Sequence, residues 1–248
     1  MHAHISIPSN HPRAKSLHMR EALVDGYRRG LVAAEGLIAH GRGEAYDYLL
    51  GERTTKAAQR AIKAAAAILL LSKRPVISVN GNTAALCPKE IVELADVIGA
   101  AIEVNLFYRT EERELAIKTE LEKHGAENVL GVGTRASAMI PELQSERRRV
   151  DPEGIYIADT VFVPLEDGDR TEALVKMGKK VITVDLNPLS RTAKTAHITI
   201  VDNIARAMPA LIEAARDMKA SKSLKKIVDS FDNKKNLRES IKIIRGGI

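Results

Sequence analysis

Three short apolar runs in the second half of the chain, each ending in a cluster of polar and charged side chains, constrain the fold more than any other feature. Residues 155–165 run into Glu166, Asp167, Asp169 and Arg170. Residues 180–184 run into Asp185, Asn187 and Arg191, and residues 197–201 into Asp202 and Asn203. Each run has the length of a buried strand. Polar groups gathered just past strand ends are what a ligand crevice in an open α/β sheet requires. Turn chemistry alone also collects Asp, Asn and Gly. Three successive clusters carrying both arginine and carboxylates point instead to a phosphate or nucleotide site.

The rest of the chain supplies helices for such a sheet. Residues 13–29 set Leu17, Ala22, Leu23 and Tyr27 roughly on one face, and residues 31–50 form a second helical stretch broken by Gly41-Arg42-Gly43. Residues 54–73 open on threonine capping candidates and continue Ala-rich until Pro75 stops them. From there the pattern alternates: a strand at 76–79, a loop at 80–87, a helix started by Pro88, a strand at 101–105, a helix at 111–124 and a strand at 128–132. A polar, partly helical piece reaches residue 149. The three apolar runs follow, with a helix at 170–177, and a helix from 204 to about 218 closes the body. This alternation predicts an α/β fold: a mainly parallel, Rossmann-like sheet with helices on both faces and a helical N-terminal region over about residues 10–73. Residues 1–216 read as a single domain. Residues 217–248 read as a basic amphipathic tail with Leu224, Ile227, Val228 and Phe231 at i, i+3, i+4 and i+7.

Charge narrows the partners. The formal net charge is +6, and residues 217–248 hold nine Lys and Arg against four Asp and Glu, so +5 of it is local to the tail. The body is nearly neutral, and three Phe, five Tyr and no Trp supply a base-stacking platform poorly. No nucleic-acid partner is expected for the body. The tail reads as a helix docked on the body or a partner subunit with its lysines in water; a tether to an anionic membrane or RNA is the alternative. No apolar stretch is long enough to cross a bilayer, and the N-terminus lacks the pattern of a secretory signal, so a cytoplasmic, membrane-free protein is expected. Cys87 is the only cysteine, which excludes an intrachain disulfide and a multi-thiolate zinc site.

Several constellations carry chemistry. Asn80-Gly81-Asn82 follows a strand and reads either as a ligand-facing turn or as a tight turn in which Asn-Gly takes positive φ. Gly41-Arg42-Gly43, with His40 and Glu44 beside it, reads either as an arginine free to swing onto an anion or as a kinked helix with a surface arginine. Phe107, Tyr108 and Arg109 pair an aromatic face with a cation, or form a core strand end before a helix capped by Thr110. No P-loop, complete dinucleotide fingerprint, HExxH or GxSxG is present, so nucleophile-triad and zinc mechanisms have no support. Reactions that need mainly positioned cations and carboxylates stay open.

Taken together, these segments resemble the archaeal 4-phosphopantoate–β-alanine ligases, also called phosphopantothenate synthetases. The resemblance runs through residues 7–13, GLIAHGRGEAYDYLLGE, PVISVNGNTAALCPKEIVELA, NLFYRTEERE, VPLEDGDRTEALVKMGKKVITVDLNPLSRTA and ITIVDN, covering roughly residues 7–216 and leaving the basic tail outside. It implies an α/β cytoplasmic homodimer that joins 4-phosphopantoate and β-alanine with ATP, releasing AMP and pyrophosphate, in coenzyme A biosynthesis. It implies ATP contacts at Arg20, Arg42, Asp185, Leu186, Asn187, Arg191, Thr192, Asp202 and Asn203. For such a reaction Arg20, Arg42, Arg170, Arg191 and Lys89 are the candidates to offset crowded phosphates. Glu166, Asp167 and Asp169 are candidates for Mg²⁺ or the β-alanine ammonium, with Mg²⁺ arriving with ATP and no dedicated protein metal site. His40 or one of these carboxylates would take the amine proton. Asn80, Asn82 and Arg109 are the remaining substrate-binding candidates. A nucleotide or phospho-metabolite sensor on the same fold is the competing reading, since fold does not fix function.

Overall fold

The computed structural model describes residues 8, 10, 11, 13–165 and 168–246. Three helices, α1 (Ala14–Arg28), α2 (Ala34–Leu49) and α3 (Lys56–Leu71), precede β1 (Pro75–Val79). Then come α4 (Gly81–Leu86), α5 (Pro88–Ile98), β2 (Ala101–Val104), α6 (Glu111–Lys123) and β3 (Val129–Leu130). A connecting segment holds the small antiparallel pair β4 (Ala138–Met139) and β5 (Arg149–Val150). The second half runs β6 (Thr160–Phe162), α7 (Gly168–Lys176), β7 (Lys180–Val184), α8 (Arg191–Thr195), β8 (Ile198–Ile200), α9 (Ile204–Met218), α10 (Leu224–Ser230) and α11 (Asn233–Gly246).

The main sheet has the order β3-β2-β1-β6-β7-β8, and every neighbouring pair is parallel. The chain winds outward from β1 in one direction and from β6 in the other, so the strand order reverses between them. That is the doubly wound, Rossmann-like α/β fold the alternation predicts, and its crevice lies beyond the carboxyl ends of β1 and β6. Alternate residues feed two cores. Ile77, Val79, Phe162, Ile182 and Val184 point to the side packed by α3, α5, α6 and α9. Val76, Val161, Val163 and Val181 point to the side covered by α7 and the segment around Ile140, Leu143 and Ile155. Strands buried on both faces explain why the apolar runs are continuous rather than alternating.

The structure departs from the sequence reading in three places. Helix α2 continues through Gly41-Arg42-Gly43, and neither glycine has positive φ. Two helix-interior glycines cost about 1 kcal/mol each, which tertiary packing overrides. Residues 81–86 are helical rather than a loop, because the Asn80 side chain accepts from Thr83 N at 3.0 Å and caps α4. The strand expected over 155–165 shrinks to Thr160–Phe162, since Asp151-Pro152-Glu153-Gly154 leads into turns; bonds from Val163 N to Ile182 O and from Leu165 N to Val184 O prolong the pairing beyond it.

The tail docks on the body, one of the two docking surfaces its apolar stripe allows. Ile227, Val228 and Phe231 pack on the core, and Leu237 of α11 is buried beside α8 and Val201. Strand β8 lies at the edge of the sheet, where its polar backbone lacks a strand partner. Asn233 Oδ1 accepts from Thr199 N at 2.9 Å and Asn236 Nδ2 donates to Thr199 O at 2.8 Å, so side chains of α11 take the place of a seventh strand.

Candidate active site

At the carboxyl ends of β1, β6, β7 and β8 a cleft of about 750 Å³ opens between the sheet and α2. Asn80, directly after β1, donates through Nδ2 to both Pro164 O and Leu165 O at 3.1 Å, bridging the point where the strand order reverses. Leu165 holds φ of 57°, a conformation that costs a non-glycine residue about 1 kcal/mol or more, at the rim of the cleft.

Beyond β7, Asp185 is mostly buried. Its Oδ1 accepts from Asn187 N at 2.9 Å and its Oδ2 from the Ser190 hydroxyl, while Ser190 Oγ also accepts from Ala193 N and caps α8. Burial pushes the Asp185 carboxyl up, and Ser190, Asn187 and the nearby Arg42 charge pull it back. Leu186, Asn187, Ser190, Arg191 and Thr192 line the cleft, and Asn203, the cap of α9, lines it from the end of β8. The Arg191 guanidinium is shared between Asp169 at 2.7 Å and Glu172 at 3.0 Å on α7. Gly168 permits that approach: a Cβ there would fall 2.5 Å from Arg191 Cβ.

Helix α2 forms the opposite wall with Glu35, Gly36, His40, Arg42, Gly43 and Tyr46. Asn82 Nδ2 donates to Gly36 O at 2.8 Å, which fixes that amide at the lip of the cleft. Arg42 is exposed and makes no hydrogen bond or ion pair among the described residues. Burial lowers the His40 pKa, so its imidazole is neutral at neutral pH, and Nε2 has no hydrogen-bond partner among the described residues.

The remaining sequence-predicted residues sit outside the cleft lining. Arg20 is clamped on Glu44, with Nη2 2.6 Å from Oε2 and Nε bonded to both carboxylate oxygens. Asp202 is buried beneath the end of β8, accepting from Thr54 Oγ1 at 2.6 Å and from Arg206, which also grips Asp47. Arg170 is 2% exposed; it donates to Ser78 Oγ at 3.0 Å and to Asn105 Oδ1, tying α7 to β1 and to the end of β2. Arg109 is fully engaged by Glu114, Arg149 O and Gly131 O, because the carboxylate five residues on captures it. Lys89 is exposed in the first turn of α5 and Asp169 is exposed on α7. Asp167 and Glu166 lie outside the described residues.

Three charged lining residues were not singled out by sequence: Glu35, Arg113 and Arg147. Arg113 stands four residues past Arg109 in the same motif, in the first turn of α6. Arg147 arrives from the segment between β4 and β5, where Asn105 Nδ2 donates to Arg147 O at 3.1 Å and to Arg149 O at 3.0 Å; just past β5, Glu103 accepts from Asp151 N at 3.1 Å and Ile155 N at 2.6 Å. Among the described residues no group of three His, Cys, Asp or Glu side chains is placed to hold a metal ion, and no helix is long and apolar enough to cross a membrane.

A doubly wound α/β protein with cations and amides at its switch-point cleft belongs to a class that binds phosphorylated ligands. Residues 57–247 match the family model of phosphopantothenate/pantothenate synthetase. The chain is 56% identical to the 4-phosphopantoate–β-alanine ligase of Thermococcus kodakarensis over 97% of its own length and 93% of that protein. It is 53% identical to the ligase of the same name from Methanosarcina mazei over 96% of this chain and 94% of that one. The chain belongs to the phosphopantothenate/pantothenate synthetase family. The match continues through α10 and α11, so it reaches past the segment over which the sequence motifs alone show the resemblance.

Proposed function

We propose that this chain is a 4-phosphopantoate–β-alanine ligase that uses ATP and works in coenzyme A biosynthesis. The observation that carries the reading is the convergence of Arg42, Asp185, Asn187, Arg191, Thr192 and Asn203 on one cleft, in a chain of this family. The nucleotide occupies the β7–β8 side. Its phosphates lie toward Arg42 and Arg191, and Asp202 positions Asn203 from below. Arg20 reaches a phosphate only by exchanging Glu44 for it.

The acid's carboxylate attacks the α-phosphorus, forming a P–O bond as the bond to pyrophosphate breaks. The resulting acyl adenylate has a good leaving group. The amine of β-alanine adds to its carbonyl carbon and AMP departs. Guanidinium groups aimed at the phosphates stabilise the charge that develops there, and one well-placed donor of this kind is typically worth about 3 kcal/mol of barrier. The ammonium must shed one proton before it attacks and a second as the amide forms; neutral His40 in the cleft is suited to take the first, and the second leaves to the departing AMP phosphate or to water. No protein nucleophile is needed: burial pushes the Cys87 thiol up and leaves it inert. Mg²⁺ bound with ATP would neutralise its phosphates, and Glu166, Asp167 and Asp169 are the carboxylates proposed for it or for the ammonium. The enzyme is placed in the cytoplasm as a homodimer, for which Val24 and Tyr27 on α1 offer exposed apolar surface.

The test incubates the purified protein with ATP, Mg²⁺, β-alanine and 4-phosphopantoate and separates the nucleotides. AMP and pyrophosphate in equal amounts, dependent on both substrates, are expected. ADP as product would overturn the adenylate route, and ATP binding without turnover would make the protein a sensor.

A further inference from the structure

The cleft changes character across the switch point. On the β7–β8 side its cations are Arg42 and Arg191. On the side of β1 and β2 the wall carries two more, Arg113 and Arg147, with Phe107 and Tyr108. Helix α6, which bears Arg113, packs on α4, α5, β2 and β3. We infer that Arg113, with Arg147 beside it, grips the phosphate monoester of the acyl substrate and so selects a phosphorylated acid over the free hydroxy acid. The inference rests on the ligase reading and adds which residues enforce that choice.

The geometry of Arg113 carries the argument. Its Nη1 donates to Tyr108 O and its Nη2 to Leu31 O at 2.9 Å, both neutral carbonyls. It forms no ion pair among the described residues, and its Nε–H has no acceptor there. Elsewhere in the protein Arg109 meets Glu114, and Arg206 meets Asp47 and Asp202. Arg113 is held in place without one. Gly81 makes this possible, because a Cβ at that position would fall 2.1 Å from Leu31 O and 2.9 Å from Arg113 Nη2. The two carbonyl bonds therefore fix the plane of the guanidinium while leaving its charge uncompensated.

Burial and the neighbouring Arg147 charge both disfavour the cation, and only the exposed Glu35 acts the other way. A dianionic phosphate reverses that balance, since guanidinium binds phosphate through paired charge-assisted hydrogen bonds. Polarity of the substrate agrees. Its carboxylate must face the α-phosphate of the nucleotide, which turns its far end toward the β1–β2 side.

The test compares Arg113→Gln with the wild type on 4-phosphopantoate and on pantoate, measuring AMP release. Loss of one partner in a buried charge-assisted contact is typically worth a few kcal/mol, so KM for 4-phosphopantoate should rise roughly 100-fold. The preference for the phosphorylated acid should fall by the same factor, with KM for ATP unchanged. Because Arg113 also ties Leu31 to Tyr108, a second measurement uses the wild type alone. Phenylglyoxal modification, mapped by peptide mass, should be blocked at Arg113 by 4-phosphopantoate and not by pantoate. A variant that keeps the wild-type preference, equal use of both acids by the wild type, or equal modification of Arg113 with either acid would overturn the assignment while leaving the ligase standing. A wild type that releases no AMP with either acid would sink the ligase reading, and this one with it.

Discussion

On the β7–β8 side of the switch point most of the polar lining follows closely on strand ends, with Arg42 reaching it from α2, whereas the charged groups on the β1–β2 side come from segments far apart in the chain. Asp185, Leu186 and Asn187 succeed β7, and Asn203 succeeds β8. Glu35 and His40 instead come from α2, Arg113 from α6, and Arg147 from the segment between β4 and β5. A parallel sheet delivers every strand end to one edge, so local sequence suffices on the first side. The second side exists only once tertiary packing has assembled it, and its cations depend on buried polar anchors.

That contrast can be tested by removing an anchor. Arg170→Met leaves Ser78 and Asn105 without a buried partner, and Asn105 in turn donates to Arg147 O and Arg149 O. A loss of about 4 kcal/mol is expected, seen as a fall of roughly 10 °C in Tm. Unchanged thermal stability would show that the assembled side needs no such tie.

Glu103 anchors the chain just past β5, and burial pushes its pKa up to about 7 from the ordinary 4.5. A raised carboxyl pKa means that the folded state favours the protonated form. Its contribution is fully present below pH 4.5 and is lost as pH rises through about 7, on the order of 3 kcal/mol. Urea melts across this window should show the decline, and Glu103→Gln should flatten it.

Arg42→Ala probes the other side. The side chain is exposed and has no partner among the described residues, so Tm should stay put while kcat/KM for ATP falls about 100-fold, equivalent to roughly 3 kcal/mol. A drop in stability without a drop in rate would reverse the assignment. The smallest effect is expected at Lys89, exposed and away from the cleft. Lys89→Ala should change stability by no more than about 0.5 kcal/mol and leave turnover unchanged.

The same contrast explains what the sequence disclosed. The sheet was legible because strands buried on both faces read as continuous apolar runs, and Asp185, Asn187, Arg191 and Asn203 were legible because they abut those runs. Arg109 showed the same outward pattern, an arginine after a strand and two aromatics, yet Glu114 captures it and Arg113 takes the place in the cleft. Only the fold of the chain around Leu31 and Gly81 separates these two arginines. Gly81 was read for its conformational freedom, while its φ is ordinary and its value is the missing Cβ. The tail was read from its apolar stripe, but periodicity says nothing about the amides of Asn233 and Asn236.

Those two amides set a schedule for synthesis. Thr199 finds its partners 34 and 37 residues later in the chain. Until those residues have emerged from the ribosome, β8 presents an open backbone edge, the kind of surface on which neighbouring chains pair. The sheet margin beside Asn203 is therefore finished only once α11 can dock, and a chain cut before Asn233 would carry a sheet with one raw margin.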